Sequence, residues 1–426
     1  MEQSISDRKK QANIYRKKEN YDLAVPLYES LWAESRDAFD GAGLLSCYRK
    51  KGDFKNAIPL AEKLSQEHSD FEWAVREISW TLIQGKIQQF DEKTPLVEVV
   101  NTANRILDYE VDFLAKKLTV FRVLKLAKGG DNWEIITEWV NKIDVDSLSA
   151  TPIKFQSGKE GWSDRCLWYN YKVNALLKNG DFATAKEYST KASGECFKQK
   201  MFFERLHAQA LKGLGEIQTA VCLYDKLCSN KRSDWWLLHE YGNLLRVTGD
   251  IEKALSTLCK AALSNRNLDM MVKLFSDIAS LFSLKQNDQK AYVHLYLEKY
   301  IREKQDWPIS NSLNTAINKL DGDFTEISAP ADLKEALSEC KKIWNEVCGA
   351  STPKDKSIKN MIGRFSTSKN ESFGFINAKN GISAICFTRD LPENINNGDE
   401  VIFDAIPSFD KKKNKESWKV VKITKE

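Results

Sequence analysis

The sequence lacks close pairs of the residues that bind zinc. Its nine cysteines and four histidines are scattered along 426 residues, and no Cys-x-x-Cys pair occurs. Because a tetrahedral zinc site usually takes its ligands from such pairs, we expect no metal site. Most cysteines lie in helical, apolar surroundings, so we interpret them as buried, reduced thiols.

Long apolar runs are also absent. No run approaches the roughly 20 residues of a membrane span, and the first residues, MEQSISDRKKQ, contain no apolar signal core. These features predict a cytoplasmic protein that does not bind membranes.

The motifs of common enzyme classes are missing as well. The chain contains no P-loop, no G-x-S-x-G, no H-E-x-x-H and no Asp/Glu cluster at metal-binding spacing. Nucleophilic or general-base chemistry therefore has no visible site. We expect a protein that is not an enzyme and that has neither catalytic residues nor a cofactor.

Positive charge is concentrated at the carboxyl end. Lys354 to Glu426 contains 14 Lys and Arg against 10 Asp and Glu, whereas the rest of the chain is balanced. This asymmetry favours a polyanionic partner for the last segment, although a solvated surface would carry the same charges.

Two stretches near the amino terminus are related by a shift of 33 residues. Ile14–Leu31 aligns with Cys47–Leu64, and Ala24 falls on Ala57. The pattern returns in NGDFATAKEY, GLGEIQTAVCLY and VTGDIEKALSTL. Each copy predicts a helix, a polar turn and a second helix whose Ala lets the two axes approach. One such hairpin cannot bury its apolar stripe alone, so the copies are expected to stack into a helical solenoid.

The repeat resembles the tetratricopeptide repeat family. Five copies cover about residues 5–68 and 166–264, and amphipathic helices of less regular spacing lie between them. The resemblance implies small residues where the paired helices face each other and an aromatic residue in the second helix. The small positions are Ala12, Val173, Ala208 and Gly242, and the aromatic ones are Tyr28 and Tyr224.

In that family the concave groove usually holds an extended or helical peptide. Asn side chains there could bond a peptide backbone and Arg could hold an acidic group, although any solvated helix face would look similar. The protein-binding residues predicted from the alignment are Asn170, Asn174, Arg205, Gln209, His239, Asn243 and Arg246.

The first repeat offers Lys9, Asn13 and Arg16 to the same groove. Lys9 and Asn13 match the start of the carboxylate clamp known in some members of the family. The Asn expected in the following repeat is replaced by Gly43, so the clamp is not predicted here.

The sequence pattern changes from helical to β-rich near residue 360. Five short β-rich runs bounded by turn residues suit a small closed barrel. They are MIGRFSTS, SFGFINA, SAICFTR, EVIFDAI and WKVVKIT. We predict a multidomain fold: an all-α tetratricopeptide-like helical solenoid over 1–328, a capping or connecting helix over 329–348, a linker over 349–357 and a small five-stranded all-β OB/cold-shock-like barrel over 358–426.

The barrel segment resembles a cold-shock domain. Phe373-Gly374-Phe375-Ile376 resembles the first ribonucleoprotein motif of that family, and Ala384-Ile385-Cys386-Phe387 the second. The resemblance implies aromatic rings that stack on the bases of a single strand, with Lys and Arg along the phosphates. The residues it assigns to nucleic-acid binding are Phe373, Phe375, Phe387, Arg364, Lys369, Lys379, Lys411, Lys412 and Lys413.

Part of the cold-shock stacking platform is missing. Thr367 and Ser368 replace a Trp and a Phe, and on this alignment Ala384 and Cys386 replace an exposed Phe and His. The lysine run at 411–413 would also serve as a plain solubilising loop.

Two functions remain open from the sequence. The first is a non-catalytic adaptor that binds a protein partner through the solenoid and single-stranded RNA or DNA through the barrel. The alternative is a purely protein–protein scaffold whose barrel no longer binds nucleic acid.

Overall fold

The computed structural model describes residues 4–229, 233–323, 329–349, 358–368, 372–378, 381–392, 395–410 and 415–425. These ranges contain α-helices first and β-strands last, in two compact units, Met1–Leu223 and Tyr224–Glu426. The prediction of a helical solenoid followed by a small five-stranded barrel is confirmed. None of the helices in the described ranges has both the length and the apolar character of a membrane span.

The helices alternate with short turns along the first unit and into the second. They are α1 (Ile5–Lys17), α2 (Tyr21–Ser35), α3 (Ala38–Lys51), α4 (Phe54–Glu67), α5 (Glu72–Leu82), α6 (Leu96–Leu107), α7 (Phe113–Gly129), α8 (Trp133–Val140), α9 (Asp164–Lys178), α10 (Phe182–Glu195), α11 (Lys200–Gly213), α12 (Ile217–Leu227), α13 (Trp235–Val247), α14 (Ile251–Ser264), α15 (Val272–Leu284), α16 (Asp288–Lys304), α17 (Asn311–Asp323) and α18 (Leu333–Val347). A π-helical turn, Ile83–Ile87, follows α5 directly.

The turn inside each hairpin has a recurring construction. A residue with positive φ ends the first helix, as Gly52 (74°) and Gly180 (76°) do, and glycine reaches that conformation at the lowest cost. The next residue but one begins the second helix, behind an Asp or Asn in most of these turns and behind Glu216 at α12. Asp53 and Asp181, for example, each accept a hydrogen bond from the backbone N–H three residues on. The sequence signal GD followed by an apolar residue is therefore a helix stop and a helix start in succession.

The small residues of the repeat lie where the paired helices touch. Val173 and all of the predicted alanines are fully buried. The alanines are Ala12, Ala24, Ala57, Ala185, Ala208, Ala220 and Ala254. At Gly242 a β-carbon would lie 2.3 Å from the side chain of Leu258 on the facing helix. The close approach of the helices thus explains these positions, and the alignment that selected them is confirmed.

The cysteine interpretation was wrong for one pair. Cys166 at the start of α9 and Cys196 just after α10 form a disulfide, with Cα atoms 5.9 Å apart. The two residues lie 30 positions apart in sequence and meet only because α9 and α10 fold back on each other. Cys222 is free but exposed rather than buried.

The second unit ends in a closed barrel with the strand order β1-β2-β3-β5-β4. The strands are β1 (Ile358–Thr367), β2 (Phe373–Ala378), β3 (Ser383–Phe387), β4 (Glu400–Asp410) and β5 (Lys415–Lys425). All neighbours are antiparallel except β3 and β5. Phe365, Ile376 and Phe403 fill the interior. Because side chains alternate along a strand, the neighbours of these core residues point outward.

Candidate nucleic-acid and protein interfaces

The aromatic pair of β2 lies on the outer face of the barrel. Phe373 and Phe375 are half-buried, whereas Gly374 and Ile376 between and beyond them are buried. The two ring centroids are 5.8 Å apart at 85°. A β-carbon on Gly374 would lie 2.4 Å from the ring of Phe365. Residue 374 must therefore be a glycine, because the buried ring of Phe365 packs directly against the strand there.

Strand β3 continues this outer surface. Phe373 pairs with Phe387, and Phe375 pairs with Ile385. The ammonium group of Lys419 on β5 lies 5.6 Å from the centroid of the Phe387 ring, within the range of a cation–π contact. We call the surface formed by Phe373, Phe375, Ile385, Phe387 and Lys419 the barrel face.

The sequence alignment of β3 was wrong by one residue. Ala384 and Cys386, assigned to exposed stacking positions, are both buried in the barrel interior. They pair with Ile376 and Gly374, which also point inward. The outward positions of β3 belong to Ser383, Ile385 and Phe387, so the barrel face is more apolar than predicted.

Basic residues flank the barrel face unevenly. Arg364 is exposed on β1, but Glu400 lies directly across from it on β4 and Asn377 across from it on β2. A carboxylate beside this guanidinium weakens its attraction for a phosphate. The other predicted phosphate contacts, Lys369, Lys379, Lys411, Lys412 and Lys413, lie outside the described residues.

In the first unit the predicted groove residues contact their own neighbours. Asn174 donates its side-chain amide to the carbonyl oxygen of Asn170 at 2.7 Å and to its side-chain oxygen at 2.9 Å. Arg205 and Gln209, half-buried on α11, also take part in interactions within the chain. These four side chains therefore already make contacts within the chain.

In the second unit the predicted residues converge on a carboxylate that sequence reasoning missed. Asp277 on α15 is buried and accepts hydrogen bonds from His239 Nε2 at 2.7 Å and from Asn243 Nδ2 at 2.9 Å. Burial alone would raise the pKa of Asp277, but these hydrogen bonds outweigh it and lower the pKa. One helical turn further, Arg246 donates to Ser280 Oγ at 3.4 Å. The α13 residues thus link two repeats, and the 34-residue offset from Asn243 to Asp277 is the signal that could have found the pairing.

The first repeat shows why no carboxylate clamp forms. Lys9 Nζ lies 2.9 Å from Oδ2 of Asp40, whose side chain is fully buried. The hydrogen bond from Lys9 to Asp40 raises the pKa of Lys9. At Gly43 a β-carbon would lie 2.6 Å from the ring of Tyr28. The position where the clamp needs an Asn is therefore filled by an aromatic ring from the preceding helix.

Among the residues that the structure describes, no group of three His, Cys, Asp or Glu side chains is arranged to hold a metal ion.

Comparison with known proteins supports the helical assignment. Residues 9–41 match the tetratricopeptide repeat model, and residues 202–342 match a domain of unknown function, DUF7017. Each match covers less than half of the chain, and neither reaches the barrel. No curated protein matches the sequence significantly.

Two solved structures resemble the chain at low similarity. A tetratricopeptide repeat protein from Parabacteroides merdae ATCC 43184 is 12% identical, with 64% of this chain and 98% of that chain covered and a TM-score of 0.29. BtubC (BKLC) from P. vanneervenii is 12% identical, with 54% of this chain and 94% of that chain covered and a TM-score of 0.36. The repeat geometry and the match over residues 9–41 identify a tetratricopeptide-like helical region, of a class that generally binds protein partners.

Proposed function

We propose that this protein is a non-catalytic adaptor. Its helical region, over the sequence-based bounds 1–328, binds a protein partner, and its barrel, over 358–426, binds single-stranded RNA or DNA. The observation that carries the nucleic-acid half is the barrel face, where Phe373 and Phe375 on β2 adjoin Phe387 on β3.

Stacking would supply most of the affinity. Base–aromatic stacking contributes about 1–3 kcal/mol per base and tolerates any sequence, because every base has a π face. Lys419 and Arg364 would add a phosphate attraction that weakens as salt increases. The proposed site therefore predicts salt-sensitive, sequence-tolerant binding.

Direct binding of an oligonucleotide tests this function. Fluorescence anisotropy of labelled oligo(U) and oligo(dT) is measured with the full chain at about 50 and about 200 mM salt. Replacing both rings, Phe373→Ala with Phe375→Ala, should remove about 2 kcal/mol or more, a roughly thirtyfold loss of affinity. Ile362→Ala is the matched control, because Ile362 is an exposed apolar residue on β1 whose partner on β4 is Ile402.

One observation favours the alternative function, a scaffold whose barrel docks a protein. Ile385 lies directly across from Phe375 on the barrel face and offers an aliphatic side chain that cannot stack on a base. If neither oligonucleotide binds at the lower salt concentration, the nucleic-acid half of the proposal fails and the scaffold function replaces it.

A further inference from the structure

A hydrogen-bonded row of polar side chains adjoins the aromatic pair on the outer face of the barrel. Asn377 is exposed on β2, two residues after Phe375 and on the same face of the strand. Ser383 on β3 lies directly across from Asn377, and Ser366 on β1 lies directly across from Phe375. The surface therefore changes from aromatic to polar within about 7 Å along one strand.

The two serines fix the orientation of the Asn377 amide. Ser366 Oγ donates its only proton to the carbonyl oxygen of Phe375 at 3.2 Å. The same oxygen can therefore only accept from Asn377, whose Nδ2 lies 3.4 Å away. On the other side, Ser383 Oγ donates to Asn377 Oδ1 at 2.7 Å. The amide nitrogen thus faces β1 and the amide oxygen faces β3.

An amide held in this way still has one donor and one acceptor to offer. An Asn side chain carries two N–H donors and an oxygen with two lone pairs, and the serines use one of each. In the part of the chain that the structure describes, no other group hydrogen-bonds the Asn377 side chain. Because the serines approach from the neighbouring strands and Asn377 is exposed, the remaining N–H and lone pair face away from the sheet. They lie side by side, as a bidentate hydrogen bond requires.

The charges beside Asn377 are balanced. Arg364 lies across from Asn377 on β1, and Glu400 lies across from Arg364 on β4. A phosphate gains little attraction from a guanidinium that has a carboxylate beside it. A neutral group with its own donor and acceptor is therefore the better match for this end of the surface.

The edge of a nucleic-acid base is such a group. Each of the four bases, when unpaired, carries a donor beside an acceptor on its Watson–Crick edge, as uracil does with N3–H and O4. The separation of about 7 Å between Phe375 and Asn377 is spanned by one hydrogen bond of about 2.9 Å together with the half-width of a stacked base. A base on the Phe375 ring would thus bring its edge to the amide.

We propose that Asn377 hydrogen-bonds the Watson–Crick edge of a base stacked on the aromatic pair, so that the barrel binds strands whose base edges are free. The inference rests on the proposed function, because it requires nucleic acid on the barrel face. The contact accepts any of the four bases but rejects a base whose edge is already paired. It adds selectivity for single strands without adding a sequence preference.

A methylated oligonucleotide tests this contact apart from stacking. Labelled oligo(U) and an N3-methyluridine oligomer of equal length are compared by fluorescence anisotropy, with the full chain at about 50 mM salt. The methyl group replaces the N–H donor of the base edge and leaves the ring, the sugar and the phosphates in place.

Three variants complete the test. Asn377→Ala removes the amide, and Ser366→Ala with Ser383→Ala removes the two hydrogen bonds that orient it. Thr424→Ala is the matched control, because Thr424 is an exposed polar residue on β5 whose partner on β4 is Ile402.

We expect the wild type to bind oligo(U) about fivefold or more tightly than the methylated oligomer, as the loss of one hydrogen bond predicts. Asn377→Ala should bind oligo(U) about fivefold more weakly than the wild type does, and it should bind the two oligomers equally. The double serine variant should keep only part of the preference for oligo(U), and Thr424→Ala should keep all of it.

Two results would overturn the inference: equal affinity of the wild type for both oligomers, and a methylation effect that persists in Asn377→Ala. If binding still depends on Phe373 and Phe375 in either case, the Asn377 contact fails and the proposed function stands. If neither oligomer binds, the nucleic-acid half of the proposed function fails and the inference fails with it.

Discussion

Acidification should lower the stability of the second unit, because it protonates one buried histidine. His294 on α16 is fully buried, and its Nε2 lies 2.8 Å from Nε1 of Trp344 on α18. An indole N–H only donates, so Nε2 must accept and the ring proton must reside on Nδ1. That proton is donated to the carbonyl oxygen of Lys290 at 2.6 Å. Both nitrogens are thus satisfied by the neutral ring, and protonation of Nε2 would break the bond to α18.

The size of the effect follows from the pKa. Burial lowers the pKa of His294 from 6.5 to about 4. Protons therefore bind the unfolded chain in preference to the folded one between these values, and stability falls as the pH drops through this window. From about pH 7.5 to about pH 5 the loss is about 2 kcal/mol, and it approaches about 3 kcal/mol near pH 4.

Hydrogen–deuterium exchange measures this loss where it occurs. Peptides from α16 and α18, corrected for the intrinsic exchange rate, should report opening free energies about 2 kcal/mol smaller at the lower pH. His294→Gln keeps an acceptor for Trp344 and a donor for Lys290 but does not titrate, so its pH dependence should be smaller by that amount. His68→Gln in the first unit is the control. Equal pH dependence in wild type and His294→Gln would refute the reasoning.

Two further predictions concern the barrel and the disulfide. Gly374→Ala should destabilise the barrel by about 2 kcal/mol or more, because the new methyl group would meet the Phe365 ring; thermal denaturation followed by circular dichroism checks this, with Ile362→Ala as the control. Reduction of Cys166–Cys196, which closes a 30-residue separation, should lower the stability of the first unit by about 3–4 kcal/mol. Cys166→Ser with Cys196→Ser should show the lower melting temperature without reductant and no further change with it; an unchanged melting temperature would contradict the prediction.

The repeat body could be predicted because its signals are local. A small residue at Ala57 or Ala185 is required wherever two helices approach closely, and the turn before it must reverse the chain within a few residues. The same turn persists where a residue other than glycine takes the positive-φ position, since Asp131 and Gln286 have φ values of 52° and 57°. The turn at residues 128–133 and the helical pair α15 and α16 therefore also follow from the sequence pattern.

Helix α17 was missed although its sequence carries a usable signal. Leu313, Ile317 and Leu320 are all buried and follow a spacing of four and three, as one face of a helix requires. The disulfide had no comparable signal. Pairing Cys166 with Cys196 depends on how α9 and α10 fold back, which no local pattern encodes.

The barrel was predicted in outline and misread in detail. Strand composition and turn residues predicted the five strands along the chain, although not the order in which they pair. The sequence of β3 can be aligned with the cold-shock motif in two ways that differ by one residue. Such a shift exchanges every inward-facing side chain for an outward-facing one. Ala384 and Cys386 were assigned to the surface for this reason, and Ile385 was overlooked.

Two of the predicted groove residues already bind carboxylates of the chain itself, which limits their use in binding a ligand. Lys9 pairs with the buried Asp40 in the first unit, and His239 pairs with the buried Asp277 in the second. A peptide that drew Lys9 or His239 away would remove one hydrogen bond from a buried carboxylate, which costs about 1–3 kcal/mol. Such a peptide must replace the lost hydrogen bonds or bind where side chains are still available.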